Sequence, residues 1–326
     1  MTGTVQHILV ADVGGTNGRF ALVQQNPDGA HTILDRVRYD CAHFNSLEEM
    51  ATRAVRHFNH PGLENASFAL AASISDGTAQ FTNLPWHTAT DTLTGKIGLK
   101  SVFLLNDFEA VAHAVPLLAE GHMVPLKNGE HIASAPISII GPGTGFGVAH
   151  LVPIDHGYKV ISTEGGHMAF APGTPLEIDL WKHLKEHHDH VSIETILSGQ
   201  GLVRIHDFLI HRTGDGPKGL SPQEVTGAAA AGDIPSCYRA VQLFLSVLGS
   251  VAGDLALAQG ARGGVWFAGG ILPKIIDMIT ESDMVTRFQA KGVMASYVEQ
   301  IPINLITSDD TAFVGAAAAQ KQRVGS

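Results

Sequence analysis

The sequence predicts an α/β protein made of two similar halves, and three observations carry that expectation. First, Val10-Ala-Asp-Val-Gly-Gly-Thr-Asn-Gly-Arg-Phe-Ala-Leu-Val23 is echoed 128 residues later by Ser138-Ile-Ile-Gly-Pro-Gly-Thr-Gly-Phe-Gly-Val-Ala-His-Leu151. Gly15-Thr16 falls on Gly143-Thr144, Ala21 on Ala149, and the turn glycine Gly29 on Gly157. Second, each copy is an apolar strand, a tight glycine turn and a second strand, a device that can turn backbone N–H groups toward a polyanion. Third, each copy gives way to alternating strand and helix patterns, as in a mixed sheet with helical cover. At 326 residues the chain exceeds the size at which one core usually keeps growing, so two domains are expected.

The elements follow in order. His7 to Val13 is a strand candidate, and the Gly14-Gly15 turn leads to a second at Arg19 to Gln24. The turn signal Asn26-Pro-Asp-Gly29 precedes a third at Thr32 to Tyr39, giving an antiparallel meander. Ser46-Leu-Glu-Glu49 reads as a capping box, with the Ser46 hydroxyl accepting from the Glu49 N–H and the Glu49 side chain reaching back. Leu47, Met50, Ala51, Ala54, Val55 and Phe58 continue at helical spacing. Strand candidates at Ser67 to Ile74 and Ser101 to Leu105, then a helix from about Phe108 to Leu118, complete the first half.

The second half opens the same way, with strands at Ile137 to Ile140, Gly147 to Val152 and Tyr158 to Ser162 around the turns Gly141-Pro-Gly-Thr-Gly145 and Asp155-His-Gly157. Helices are expected at Leu176 to His187, Leu202 to Arg212 and roughly Ser236 to Gln259. A buried strand, Gly264 to Ala268, ends at Gly269-Gly270 before a helix that Pro273 can start. Ile303 to Thr307 and an Ala-rich helix, Thr311 to Gln320, close the chain.

Composition narrows the function classes. The chain is 44% hydrophobic and 16% charged, with a formal charge of −10. An acidic surface without blocks of like charge repels nucleic acid and anionic lipid, so neither partner is expected. A polyphosphate can still be held by turn amides, helix N-termini and a metal ion. Cys41 and Cys237 stand alone, which suggests neither a zinc site nor a disulfide framework. Met1 to His7 lacks the basic segment and apolar core of a signal peptide, and the chain reads as cytoplasmic. The most apolar helix stretch, Leu243 to Gly253, has 11 residues before Asp254, which is short for a bilayer.

Two phosphate motifs are excluded. Gly141-Pro-Gly-Thr-Gly-Phe-Gly147 departs from G-x-G-x-x-G at Phe146 and continues as a strand, not a helix. No G-x-x-x-x-G-K-[ST] exists. What remains is a glycine hairpin occurring twice, where glycine permits positive φ and threonine adds a donor. A hairpin that needs only flexible residues is the plainer alternative.

The pattern resembles the hexokinase, actin and Hsp70 superfamily, and within it the bacterial glucokinase family. The segments that carry the resemblance are Asp12-Val-Gly-Gly-Thr16, Leu105-Asn-Asp-Phe108, Gly141-Pro-Gly-Thr-Gly145, Gly147-Val-Ala-His-Leu-Val152, Glu164-Gly-Gly-His167, Phe170-Ala-Pro172, Leu197-Ser-Gly199 and Ala268-Gly-Gly270. The resemblance implies two ribonuclease-H-like domains around an interdomain cleft, the actin-like ATPase fold. Residues 1–117 with 308–326 would form the smaller domain and 118–307 the larger. It further implies an ATP-dependent kinase that phosphorylates glucose at the start of glycolysis, with Mg²⁺, as a homodimer.

By the same resemblance, Asp107 is the catalytic base and, with Asn106, Glu164, His167 and Glu194, binds glucose. Ala11, Asp12, Val13, Gly14, Gly15 and Thr16 would meet the nucleotide phosphates from one domain, and Gly143, Thr144 and Gly145 from the other. Gly269 and Gly270 would admit the adenosine, and Asp12 would hold Mg²⁺, through water. The residue types suit these tasks: Asn carries donor and acceptor, carboxylates accept hydroxyl hydrogens, and His does either. Plainer roles stay open beside them: helix capping for Asp107, turn formation for Asp12 and helix-dipole compensation for Glu194.

Some positions depart from the family pattern. Ala11 stands where many relatives have glycine, and Ala169 replaces a frequent acidic residue, which puts the support of His167 in question. Asn83, in Thr82-Asn-Leu-Pro-Trp86, is suited to orienting the cleft, and Trp86 equally to packing. His183 and His187 could share a metal on a helix, but the run Lys182 to His190 is polar all round apart from Leu184 and reads as a solvated helix end. Rival functions are the same chemistry on mannose or fructose, or a sugar-responsive regulator without catalysis. Such regulators add an N-terminal helix-turn-helix and often a cysteine-rich zinc loop; a first strand by His7 and two isolated cysteines speak against one.

Overall fold

The computed structural model describes residues 5–27, 30–81 and 83–324. Asp28 and Gly29 of the first turn signal and Thr82 of the Thr82–Trp86 segment lie outside the described residues. The chain forms two compact units, Met1–Ala119 with Ser308–Ser326, and Glu120–Thr307. In the first, it runs β1 (Gln6–Val13), β2 (Asn17–Gln25), β3 (His31–Asp40), α1 (Leu47–Phe58), β4 (Leu63–Leu70), β5 (Ala72–Ser75), β6 (Thr78–Phe81), β7 (His87–Ala89), α2 (Thr90–Ile97), β8 (Ser101–Asn106) and α3 (Asp107–Ala114). The second unit begins with β9 (Met123–Lys127), β10 (Ile137–Pro142), β11 (Phe146–Ile154), β12 (Gly157–Thr163), α4 (Pro175–Lys185) and α5 (Ile193–Ile196). It continues with α6 (Gly199–Thr213), α7 (Pro222–Ala231), α8 (Pro235–Gln259), β13 (Gly264–Phe267), α9 (Ile276–Glu281), α10 (Met284–Gln289), α11 (Ala295–Glu299) and β14 (Ile303–Ile306). Helix α12 (Thr311–Val324) then belongs to the first unit.

The main sheets repeat one plan. Unit one has the order β3-β2-β1-β4-β8, and unit two β12-β11-β10-β13-β14 with β9 added at the end. In each, a three-strand antiparallel meander continues through its first strand into two parallel strands. The hairpins differ in one respect. Between β1 and β2 the last pair is Val13 with Gly18, leaving four residues, whereas Pro142 with Phe146 leaves three.

The expected strand Ser67 to Ile74 is divided. Strand β4 ends at Leu70, opposite Val13, where β1 turns away; Ala71 donates to the Val13 carbonyl at 2.9 Å and the ladder stops for want of a partner. The chain then builds its own small sheet, β5-β6-β7. Asp76 and Gly77, at φ 47° and 72°, form its first turn, the left-handed pair that a two-residue hairpin favours.

Local signals set the helix ends. Ser46 accepts from Glu49 N–H at 3.3 Å, as the capping box requires, but the Glu49 carboxylate bonds the Asn45 N–H at 3.0 Å, not Ser46. Helix α1 stops at Asn59 in left-handed conformation. Unit one packs Leu9, Ala11, Val13 and Phe20 with Leu47, Met50 and Leu93 on one sheet face, and Ile8, Val10 and Leu105 with Phe313 and Ala316 on the other. In unit two, α8 is the core helix. Its 25 residues make it long and apolar enough, by length and composition, to cross a membrane, longer than the stretch before Asp254 implied. Most of that surface is buried instead against Leu202, Phe208, Met284, Phe288 and their neighbours.

Candidate active site

In unit one, the candidate residues gather where three parallel strands end. Val13 pairs with Leu70 and Leu70 with Asn106, so the ends of β1, β4 and β8 lie abreast. Open α/β sheets commonly bind ligands beyond such carboxyl ends. The turn after β1 is tied on several sides: Gly14 N–H donates to Asn17 O at 3.0 Å, Cys41 N–H to Thr16 O at 2.8 Å and the Cys41 thiol to Gly14 O at 3.6 Å.

The reason for the glycines differs from the expected one. None of Gly14, Gly15, Gly143 and Gly145 has positive φ. What matters is close approach. A Cβ on Gly15 would sit 2.8 Å from Asn83 Cβ, and one on Gly145 only 2.4 Å from Glu194 Oε2, while Gly143 faces open space. Ala11 and Val13 have side chains fully buried in the core, so any part they take in a site falls to their main chain.

Asp12 is partly exposed, and its Oδ2 accepts from both Nε and Nη2 of Arg19, Nε at 3.1 Å. Arg19 also donates to Asp309 O at 2.9 Å and lies over the Phe313 ring at 5.2 Å. Sequence reasoning missed Arg19. The signal was available, since the hairpin register puts it directly opposite Asp12. Among the described residues, no group of three or more His, Cys, Asp or Glu side chains could hold a metal alone. A single carboxylate suits an ion that arrives on a phosphate and keeps its water, which describes Mg²⁺.

Asn106 ends β8 and caps α3. Its Oδ1 accepts from Phe108 N–H at 2.9 Å and Glu109 N–H at 3.4 Å, and its Nδ2 donates to Ala72 O at 3.4 Å. The cap is therefore Asn106, not Asp107. This narrows the expectation that Asn106 offers both acceptor and donor, because the acceptor is committed to the helix. Asp107 is the first helical residue, half-buried, with Oδ1 accepting from Phe108 N–H at 2.9 Å. It stands at the positive end of the helix dipole. Trp86 is buried edge-on to Phe81 at 5.7 Å, which is a packing role.

In unit two, the turn after β10 collects the remaining candidates. Gly143 N–H donates to Gly145 O at 2.8 Å and Thr144 is exposed. Glu194, in the first turn of α5, accepts from Phe146 N–H through Oε2 at 2.8 Å. Gly199 N–H, at the start of α6, donates to Gly143 O at 2.9 Å. Glu164-Gly-Gly-His167 makes a single turn pressed on β11, where a Cβ on Gly166 would lie 2.2 Å from Phe146 O. Glu164 and His167 are exposed, with His167 Nε2 3.9 Å from Glu164 Oε2. Beside Ala169, the backbone bridges to Ser192, and His190 Nε2 lies 2.9 Å from His167 O, so this turn is held through main chain. Gly269, with φ 92°, packs where a Cβ would be 2.4 Å from Pro142 O, and Gly270 faces open space. His183 stacks on His211 at 5.6 Å and meets His187 edge-on at 6.1 Å.

A family model described as Glucokinase matches residues 9–323. The glucokinase of Saccharophagus degradans is 39% identical over 310 residues, covering 95% of this chain and 97% of its own length. A solved glucokinase from an Antarctic psychrotroph superposes with TM-score 0.85 at 36% identity, over 97% of this chain and 99% of that one. Glucokinase from Balamuthia mandrillaris in complex with glucose gives 0.79 at 20% identity, over 97% and 93%. A ROK family glucokinase from Streptomyces griseus in complex with glucose and AMPPNP gives 0.68 at 19%, over 97% and 99%. The last two are alike in fold alone, and together these structures place the chain in the actin-like ATPase fold of sugar kinases.

Proposed function

The chain belongs to the glucokinase family of sugar kinases, and from that membership we propose that it transfers the γ-phosphate of ATP to the 6-hydroxyl of glucose. What carries this assignment is the register of unit one, which sets the Gly14–Thr16 turn and the Asn106-Asp107 pair at the same end of the sheet, on strands that flank β4. A phosphate-facing turn beside a carboxylate is the pairing that phosphoryl transfer to a hydroxyl requires.

Asp107 is the general base. Its carboxylate accepts the proton of the attacking hydroxyl, which leaves late in a loose phosphoryl-transfer transition state, so its placement at the start of α3 counts as much as its basicity. Asn106 donates to the sugar through the N–H left after capping. Glu164 and Glu194 accept hydroxyl hydrogens, and His167 bonds as donor or acceptor. Asp12 would hold Mg²⁺ through water at Oδ1, because Arg19 occupies Oδ2. When bound, the ion neutralises charge on the transferring phosphate. The Gly14–Thr16 and Gly143–Gly145 turns meet the phosphates, with the Gly14 and Gly143 N–H groups spent on closing the turns themselves, and Gly269-Gly270 makes room for the nucleoside.

A coupled ADP-release assay with a panel of hexoses tests the assignment. Glucose should turn over well ahead of mannose and fructose, because a site built to hydrogen-bond a given hydroxyl discriminates against a sugar that presents it elsewhere. Equal turnover of the three sugars would overturn the choice of glucose, and no ADP release with any hexose would overturn the kinase.

A further inference from the structure

The turn between β10 and β11 is not free-standing. Both of its braces come from one short segment: Glu194 Oε2 accepts the Phe146 N–H at 2.8 Å, and Gly199 donates to Gly143 O at 2.9 Å. That segment is itself fixed. Ser192 and Thr195 close a reciprocal capping box at 3.1 Å each way, and Arg204 donates to Thr195 O at 3.1 Å. The turn is shaped around the carboxylate, since even a methyl on Gly145 would collide with Glu194 Oε2. The other oxygen, Oε1, makes no protein hydrogen bond among the described residues.

We propose that Glu194 positions the Gly143–Gly145 turn with one oxygen while its other oxygen binds sugar, so that sugar and nucleotide bind with positive coupling through this one side chain. The inference rests on the sugar and phosphate roles proposed above. A hydroxyl bound at Oε1 restricts rotation of the carboxylate and so firms the bond from Oε2 to Phe146. The turn is then held ready for the nucleotide phosphates. Linkage makes the effect mutual: nucleotide on the turn fixes the carboxylate for sugar by the same factor. A residue that touched sugar alone would have no influence on nucleotide binding in the absence of sugar.

Titration calorimetry of the full chain with Mg·AMPPNP, with and without saturating glucose, separates these cases. Wild type should bind the nucleotide more tightly with glucose present. In Glu194→Ala the sugar-free nucleotide affinity should fall about tenfold, the scale of one lost hydrogen bond to a charged group, and glucose should no longer improve it. Glu194→Asp keeps the charge but falls short of Phe146, and should behave like the alanine variant. Glu194→Gln, whose amide oxygen can still accept the Phe146 N–H, should retain most of the sugar-free affinity. Hydrogen exchange at the Phe146 amide should quicken in the alanine and aspartate variants only. Wild-type sugar-free affinity in both Glu194→Ala and Glu194→Asp would overturn the proposal. A wild type that binds neither glucose nor Mg·AMPPNP would instead overturn the kinase assignment beneath it.

Discussion

Gly15 shows how a single missing methyl group shapes the candidate site. Its backbone is not left-handed, so the conformational freedom of glycine is not what the position demands. The demand is space, because Asn83 packs so closely that a Cβ would come within 2.8 Å of its own Cβ. Overpacking of this kind costs about 1–3 kcal/mol and displaces backbone. In Gly15→Ala we expect kcat/KM for ATP to fall about tenfold, and a second change, Asn83→Gly, to restore part of it. A single variant with wild-type kcat/KM would show that the contact does not set the turn. Sequence pattern located these glycines but misjudged their reason, because close approach depends on a neighbour 68 positions away. The Asn106 cap was hidden for a related cause: Asn and Asp are both good caps, and only the backbone shows that the first ends β8 while the second begins α3.

Among the elements, α3 matters most, since it carries Asp107, and it is set by its packing on α12. Gly315 of α12 sits so close to α3 that a Cβ would fall 1.7 Å from the Ala110 carbonyl oxygen. Gly315→Ala should therefore destabilise the protein by about 1–3 kcal/mol, read from the urea midpoint. Gly227→Ala in α7, where a Cβ meets nothing within 4 Å, should raise stability by about 0.5–1 kcal/mol. If both substitutions behaved alike, intrinsic helix propensity and not this packing would govern α12. Long elements with clear periodicity, such as α1 and α8, were legible in the sequence with ends near those observed. Of the short ones, β13 and β14 stood out as apolar runs, but others did not. Strands β5 to β7 span four, four and three residues, too few for alternation to stand out, and α5 has only four.

For the whole molecule, the doubled hairpin proves to be part of a doubled plan, the same strand order and sense in both units. The 128-residue offset brings the glycines together although one hairpin is a residue longer, so the likeness lies in chain path more than in matching pairs. The return of α12 to the first unit was implied by family resemblance and by no local pattern, since an Ala-rich helix can pack on many surfaces. Each unit brings one glycine turn together with its own candidate sugar residues: Asn106 and Asp107 in the first, Glu164, His167 and Glu194 in the second. In the proposed reaction Asp107 takes the proton as phosphate passes to the sugar, and every other residue's role depends on this one. That proton transfer is tested most directly by kcat for Asp107→Asn at saturating glucose and Mg·ATP, beside wild type. A loss of about a hundred- to ten-thousandfold is expected, and turnover at the wild-type rate would contradict it.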